Sequence, residues 1–271
     1  MRRINRFAYC LAAAIPVALL VGCSSGGSGS GGSGSVGAAS GPAPEVSSIT
    51  IDAVPTADAA GLYIAYDEGL FAKQGLTVKI DPINGGEFGM GDLQDNSVQL
   101  VEGNYVSFVL AQIAGSFAAP DPTKANPGNT LAKRPIDMRI IANSSQMQPG
   151  NQALYVMPKS RYKTVADLAK FHAKIGINSP NNIAQVLLGS LFAGDGLPLG
   201  SIHQIVQPVF PDMPGDLANN TINAAWLPEP FGTIAQQQFG AVQLADFDQG
   251  AIQNFPIGAV VGNAQWVQTH P

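Results

Sequence analysis

Cysteine is nearly missing from this chain. Cys10 and Cys23 both fall at the N-terminal end, so no disulfide framework staples the remainder. Charge is scarce too: 12% of residues carry it, against roughly 25% in ordinary soluble domains. Positive charge is scarcer, with 14 Lys and Arg against 19 Asp and Glu. A net charge of −5 disfavours a nucleic-acid partner, which needs clustered cations. Catalytic signatures are lacking as well. No GxSxG elbow joins a strand to a helix, the match Gly22-Cys-Ser-Ser-Gly26 opening a Ser/Gly run, and there is no GxxxxGK followed by Ser or Thr for ATP hydrolysis. His172, His203 and His270 stand isolated, with no spacing that suits a metal. The reading is therefore of a non-enzyme without metal or cofactor. Disorder of the whole chain is excluded by the opposite measure: 45% of residues are hydrophobic, too many for a chain that cannot bury a core.

Long uncharged apolar runs are confined to one place. Arg2, Arg3 and Arg6 precede an apolar stretch from Phe7 to Val21, broken by Pro16. Short, N-terminal and basic-flanked, it reads as an export signal over residues 1–22 and not as a spanning helix. Its end, Leu20-Val-Gly-Cys23, resembles the bacterial lipobox. That resemblance implies cleavage before Cys23 and lipidation of its sulfur, with acyl chains anchoring the protein at the extracytoplasmic face of the membrane. Removing residues 1–22 takes away three Arg and no acid, so the mature charge is −8. Residues 23–46 then form a Gly/Ser-rich flexible tether.

The 271 residues leave room for one or two domains beyond the tether. β-branched alternation from Ile49 to Val54 reads as a strand, and Ala59 to Lys73 as a helix with Leu62, Ala65, Tyr66 and Leu70 on one face. Strands follow at Leu76–Ile80 and Val98–Val101. A helix opens at Gly85-Gly86, and another spans Tyr105 to Ala114. A Pro-rich excursion covers 116–135. Strands at Ile136–Ala142 and Ala153–Met157, a helix capped by Thr164 and a strand at Ile175–Ile177 come next. A helix from Ser179 to about Gly194, then strands at His203, Ala224, Val242 and Phe255, complete the pattern. Strand–helix alternation of this kind argues for α/β architecture with largely parallel sheets.

The pattern restarts after about residue 150. Gly91-Asp-Leu-Gln-Asp-Asn-Ser-Val98 also returns as Gly215-Asp-Leu-Ala-Asn-Asn-Thr-Ile222, 124 residues later. Helix–turn–strand junctions reuse these residue types, so coincidence and two similar lobes both account for it.

Gly61-Leu-Tyr-Ile-Ala-Tyr-Asp-Glu-Gly-Leu-Phe-Ala-Lys-Gln-Gly-Leu76 resembles the first helix of ABC-transporter substrate-binding proteins of the nitrate/sulfonate/taurine and thiamine-pyrimidine type. Asn104-Tyr-Val106, Thr164-Val-Ala-Asp-Leu168 and Ala225-Trp-Leu-Pro-Glu-Pro-Phe231 match in order. The resemblance implies a two-lobed periplasmic-binding-protein fold of type II, each lobe a mixed, mainly parallel sheet flanked by helices. Lobe 1 is expected at 47–148, lobe 2 at 149–250 and a return segment at 251–271. Such proteins are receptors: they take a small solute and pass it to a permease driven by a separate ATPase. A monomer is expected. Lipid-anchored sensing or adhesion, or small-molecule processing, are alternative uses of the same fold. Family members usually continue with C-terminal helices past the point that Pro271 matches, so those helices are expected to be missing.

Ligands of open α/β sheets sit beyond the C-terminal ends of strands. Those points are Thr56, Asp58, Gly85, Gly86, Asn104, Tyr105, Ser144, Asn181, Asn182, Trp226 and Glu229. Several open helices and serve equally as N-caps; the glycines serve equally as turn residues, and Tyr105 and Trp226 as core. None of these loops carries Lys or Arg, while Asp58, Glu102 and Glu229 lie in or beside them. That balance tilts toward a neutral or amine-bearing heterocycle over a sulfonate- or nitrate-type anion.

Overall fold

The computed structural model describes residues 43–114 and 135–271. The export signal, Cys23, nearly all of the tether and the Pro-rich excursion lie outside the described residues. No described helix is long and apolar enough to cross a membrane.

Among the described residues, ten strands form two five-stranded sheets. The first contains β1 (Ser48–Ala53), β2 (Thr77–Pro82), β3 (Leu100–Asn104), β4 (Met138–Gln146) and β10 (Pro256–Asn263), in the order β2-β1-β3-β10-β4. The second contains β5 (Gln152–Val156), β6 (Lys174–Gly176), β7 (Gln204–Val206), β8 (Ala224–Pro228) and β9 (Val242–Asp246), in the order β7-β6-β8-β5-β9. Pairing is parallel among the first three strands of each order and antiparallel on both sides of the fourth. Four strands of each sheet therefore run one way and one runs against them. The reversed strand is the one that enters from the other lobe: β5 follows β4, and β10 follows β9. The chain thus crosses twice, and its last strand sits inside the first sheet.

The helices are α1 (Ala60–Asp67), α2 (Leu70–Lys73), α3 (Met90–Gln94), α4 (Tyr105–Ala114), α5 (Val165–Lys170), α6 (Ile183–Gly194), α7 (Met213–Ala218), α8 (Phe231–Phe239) and α9 (Ala264–Thr269). A continuous core runs from Val101 and Phe108 in the first lobe to Leu154, Phe192 and Trp226 in the second. A smaller cluster of Ile49, Ile51 and Val78 lies under Leu62, Phe71 and Trp266.

The 124-residue echo is structural. Ile51 pairs with Leu100 across β1 and β3, and Ile175 pairs with Ala224 across β6 and β8 in the same register. Asn96 and Asn220 both take left-handed backbone, with φ of 59° and 60°, a conformation Asn tolerates better than most residues. The amides of Ser97 and Thr221 then bond to the carbonyls of Asp92 and Asp216 at 3.0 and 2.9 Å. One corner is built twice, and it feeds β3 and β8.

Four expectations need correction. The helix expected from Ala59 to Lys73 is two pieces, because Gly69 turns left-handed at φ 64°. Its expected inner face is also half open, with Tyr66 and Leu70 exposed. The third strand starts at Leu100 and not Val98, since the Asn96 corner uses Val98 as a buried anchor. Glu102 and Trp226, both near expected strand ends, stand within β3 and β8. The helix expected from Ser179 starts at Ile183, where the Asn182 side chain accepts the Ala184 amide at 3.0 Å.

Candidate functional site

The C-terminal ends of β1, β3, β6 and β8 converge on a cavity of about 30 Å³ between the lobes. Glu102 forms one wall, 1% exposed. Its carboxyl accepts the Val54 amide at 3.2 Å and the Ser144 hydroxyl at 3.0 Å. Burial, reinforced by the nearby charge of Asp58, pushes its pKa up to about 8. Asp58 lies in the turn after β1 and faces the same cavity. It accepts the side-chain amide of Gln152 at 3.0 Å and that of Asn151 at 3.5 Å, and burial raises its pKa as well.

The second lobe supplies the opposite wall. Trp226 donates its indole N–H to the Gln152 carbonyl oxygen at 3.1 Å. Gln152 thereby links an aromatic of one lobe to a carboxyl of the other. Phe210 stacks on Phe231 with centroids 5.5 Å apart and tilts against Trp226 at 5.4 Å. Aromatic faces of this kind suit a flat or cationic partner.

Hydrogen bonds across the cleft hold the lobes closed on this space. The Asn178 side-chain amide donates to the Asn84 carbonyl at 2.6 Å, and the Asn84 amide returns a bond to the Asn178 carbonyl at 3.4 Å. The Phe210 amide donates to the Asn84 side chain at 3.2 Å. Asn182 donates to Asn178 at 2.8 Å and reaches the buried Glu87 carboxyl at 3.4 Å. Ser107 donates to the other Glu87 oxygen at 2.7 Å; burial lifts the Glu87 pKa. At the rim, the Ala57 amide donates to the Glu229 carbonyl at 2.8 Å.

Of the residues expected from sequence, Thr56, Asp58, Gly85, Asn104 and Trp226 line the cavity together. Ser144 and Asn182 stand one hydrogen bond behind it, on Glu102 and Asn178. The other four stand elsewhere. Gly86 is buried where its Cα meets Gly103. Tyr105 bonds Asn143 through its hydroxyl at 3.1 Å. Asn181 sits exposed at φ 55°, its amide bonded to Gln185. The Glu229 carboxyl accepts the Thr233 amide at 3.1 Å, and the residue lines an outer groove. Gln152, Asn178 and Phe210 were not anticipated. Asn178 was findable, since it is the equivalent of Val54 in the 124-residue repeat. Gln152 and Phe210 carry no local signal. Among the described residues no three His, Cys, Asp or Glu side chains gather as a metal-ligand set.

Two lobes of one topology, joined by hydrogen bonds over a cavity at their strand ends, define the periplasmic-binding-protein fold, type II. Residues 42–271 match the model of the NMT1-like family, and the chain belongs to that family. No functionally curated protein matches it by sequence. Among solved structures it is similar to the alkanesulfonate-binding protein SsuA of Xanthomonas axonopodis pv. citri bound to MOPS, with a TM-score of 0.64 at 16% identity, covering 83% of this chain and 68% of that one. The periplasmic aliphatic sulphonate binding protein SsuA of Escherichia coli aligns with a TM-score of 0.59 at 16% identity, over 83% and 68% of the two chains. The periplasmic nitrate-binding protein NrtA of Synechocystis PCC 6803 aligns with a TM-score of 0.64 at 19% identity, over 84% of this chain and 58% of that one. At such identities the likeness is one of fold.

Proposed function

We propose that this chain is the extracytoplasmic solute-binding component of an ABC importer, anchored to the membrane through lipid on Cys23. It captures a small organic solute between its lobes and delivers it to a permease powered by a separate ATPase. The observation that carries this reading is the cavity at the paired strand ends, lined by both lobes and bridged by the Asn84–Asn178 and Asp58–Gln152 hydrogen bonds. A cleft whose walls belong to different lobes exchanges its contents only by hinge opening, which suits a carrier.

The lining favours an amine-bearing or neutral heterocycle over a nitrate- or sulfonate-type anion. Asp58 and Glu102 face the space, Trp226 and Phe210 flank it, and no Lys or Arg among the described residues lines it. A thermal-shift screen of small solutes tests the function. A ligand present at 100 times its Kd raises stability by about 2.7 kcal/mol; a folded protein that no solute shifts is not a solute receptor. Cys23→Ser tests the anchor, and is expected to release the protein from the membrane fraction.

A further inference from the structure

The two buried carboxyls Asp58 and Glu102 are held by neutral donors. Asp58 and Glu102 come from the same lobe and face the same small space. Each has neutral donors: Val54 and Ser144 on Glu102, Asn151 and Gln152 on Asp58. The other titratable group near Glu102 is Tyr63 on α1, whose phenol is pushed up by burial and by the Glu102 charge. The β10 residues beside it, Ile257 and Gly258, carry no charge. No Lys, Arg or His among the described residues lines the space. Two carboxylates here would face each other undiluted by a cation, at a cost that burial magnifies.

We propose that the cleft selects a solute bearing one positive charge, which takes the place of a proton held by the Asp58–Glu102 pair. This deepens the solute-receptor reading and rests on it. In the free protein the pair holds a proton. On binding, the ammonium N–H groups donate to the carboxylate oxygens, and the displaced proton leaves to solvent. The ammonium then sits between two acidic side chains and the faces of Trp226 and Phe210, where a cation is favoured twice over. An anion meets the same carboxyls and gains no counter-charge. The proton held by the Glu102 carboxyl, with its pKa near 8, is available for exchange at neutral pH.

Isothermal titration calorimetry with aminomethylpyrimidine, its neutral isostere hydroxymethylpyrimidine, and nitrate tests the idea on the full chain. Aminomethylpyrimidine should bind, with affinity rising about tenfold per pH unit from roughly pH 6 to 8. Its enthalpy should differ between phosphate and Tris by the amount that about one released proton predicts. Glu102→Gln should flatten that pH dependence. Should Glu102→Gln fail to fold, the buffer comparison on the unaltered protein decides alone. Hydroxymethylpyrimidine or nitrate binding as tightly as the amine overturns charge selection and leaves the receptor reading standing. An amine enthalpy indifferent to buffer overturns the exchange. If the amine does not bind, this proposal falls, while the receptor reading is judged by the wider solute screen.

Discussion

Replacing Glu102 by Gln should stabilise the protein at neutral pH, although it alters a fully buried residue. An ordinary Glu has a pKa of 4.5, and Glu102 in the fold sits at about 8. Below pH 4.5 folded and unfolded chains both hold the proton, and stability is indifferent to it. Between 4.5 and about 8 the unfolded chain gives the proton up while the folded chain keeps it. Stability therefore falls as pH rises through that window, by about 1.4 kcal/mol per unit. At pH 7 the accumulated loss is about 3 kcal/mol. Gln carries no such penalty. It keeps an acceptor for the Val54 amide and offers an N–H to Ser144, so both existing contacts survive. Urea unfolding followed by circular dichroism at several pH values should show the two proteins matched near pH 4.5 and diverging above it, with Glu102→Gln ahead by up to about 3 kcal/mol at pH 7. Asp58 shifts in the same direction and interacts with the Glu102 charge, so both curves slope, and the difference between them reports Glu102 together with its coupling to Asp58. Parallel curves, or a variant weaker than the parent at pH 7, would refute the argument.

Three further substitutions probe the frame around the site. Gly103→Ala places a Cβ 2.5 Å from the Gly86 Cα, and neither backbone can yield cheaply; thermal unfolding should show a loss of about 1–3 kcal/mol or more. Asn178→Ala leaves the Asn84 carbonyl without its interlobe donor, at about 1–3 kcal/mol; small-angle scattering should report a larger radius as the open form gains population. Thr164→Ala removes the capping box that Thr164 and Asp167 make at α5, costing about 1 kcal/mol in thermal unfolding with no change in solute affinity.

Local pattern made much of the frame readable. The helix read at Tyr105 to Ala114 stands at those bounds, because Asn104 caps it and accepts the Ser107 amide. The strand read at Ala153 to Met157 lies within one residue of β5. What local pattern cannot carry is a partner far along the chain. Asp58 finds Gln152 94 residues on, and Asn84 finds Asn178 at the same separation. Neither Asn84 nor Gln152 looks like anything but a loop or strand-edge residue until the lobes meet. The same limit explains Glu229: the sequence places it at a strand end, and the fold turns its carboxyl to the Thr233 amide.

The repeat sharpens how the cleft acquires its chemistry. Val54 and Asn178, Glu102 and Trp226, and Asn104 and Pro228 are equivalent positions, 124 residues apart, and all six line the cavity. A symmetric frame thus presents matched positions from both sides, and the side chains break the match. Where one lobe places an acid, the other places an indole; where one places a valine, the other places the amide that bonds Asn84. If the frame sets where side chains point and the mismatch sets what they recognise, exchanging the chemistry at one pair should change the ligand and spare the fold. Trp226 is 3% exposed, so Trp226→Phe keeps most of its packing and loses the indole N–H to Gln152. Gln152 then has one bond fewer to hold it against Asp58. The expected result is a folded protein, within about 1–2 kcal/mol of the parent, whose solute affinity falls by more than its stability. Equal falls in both would mean that Trp226 serves the core alone.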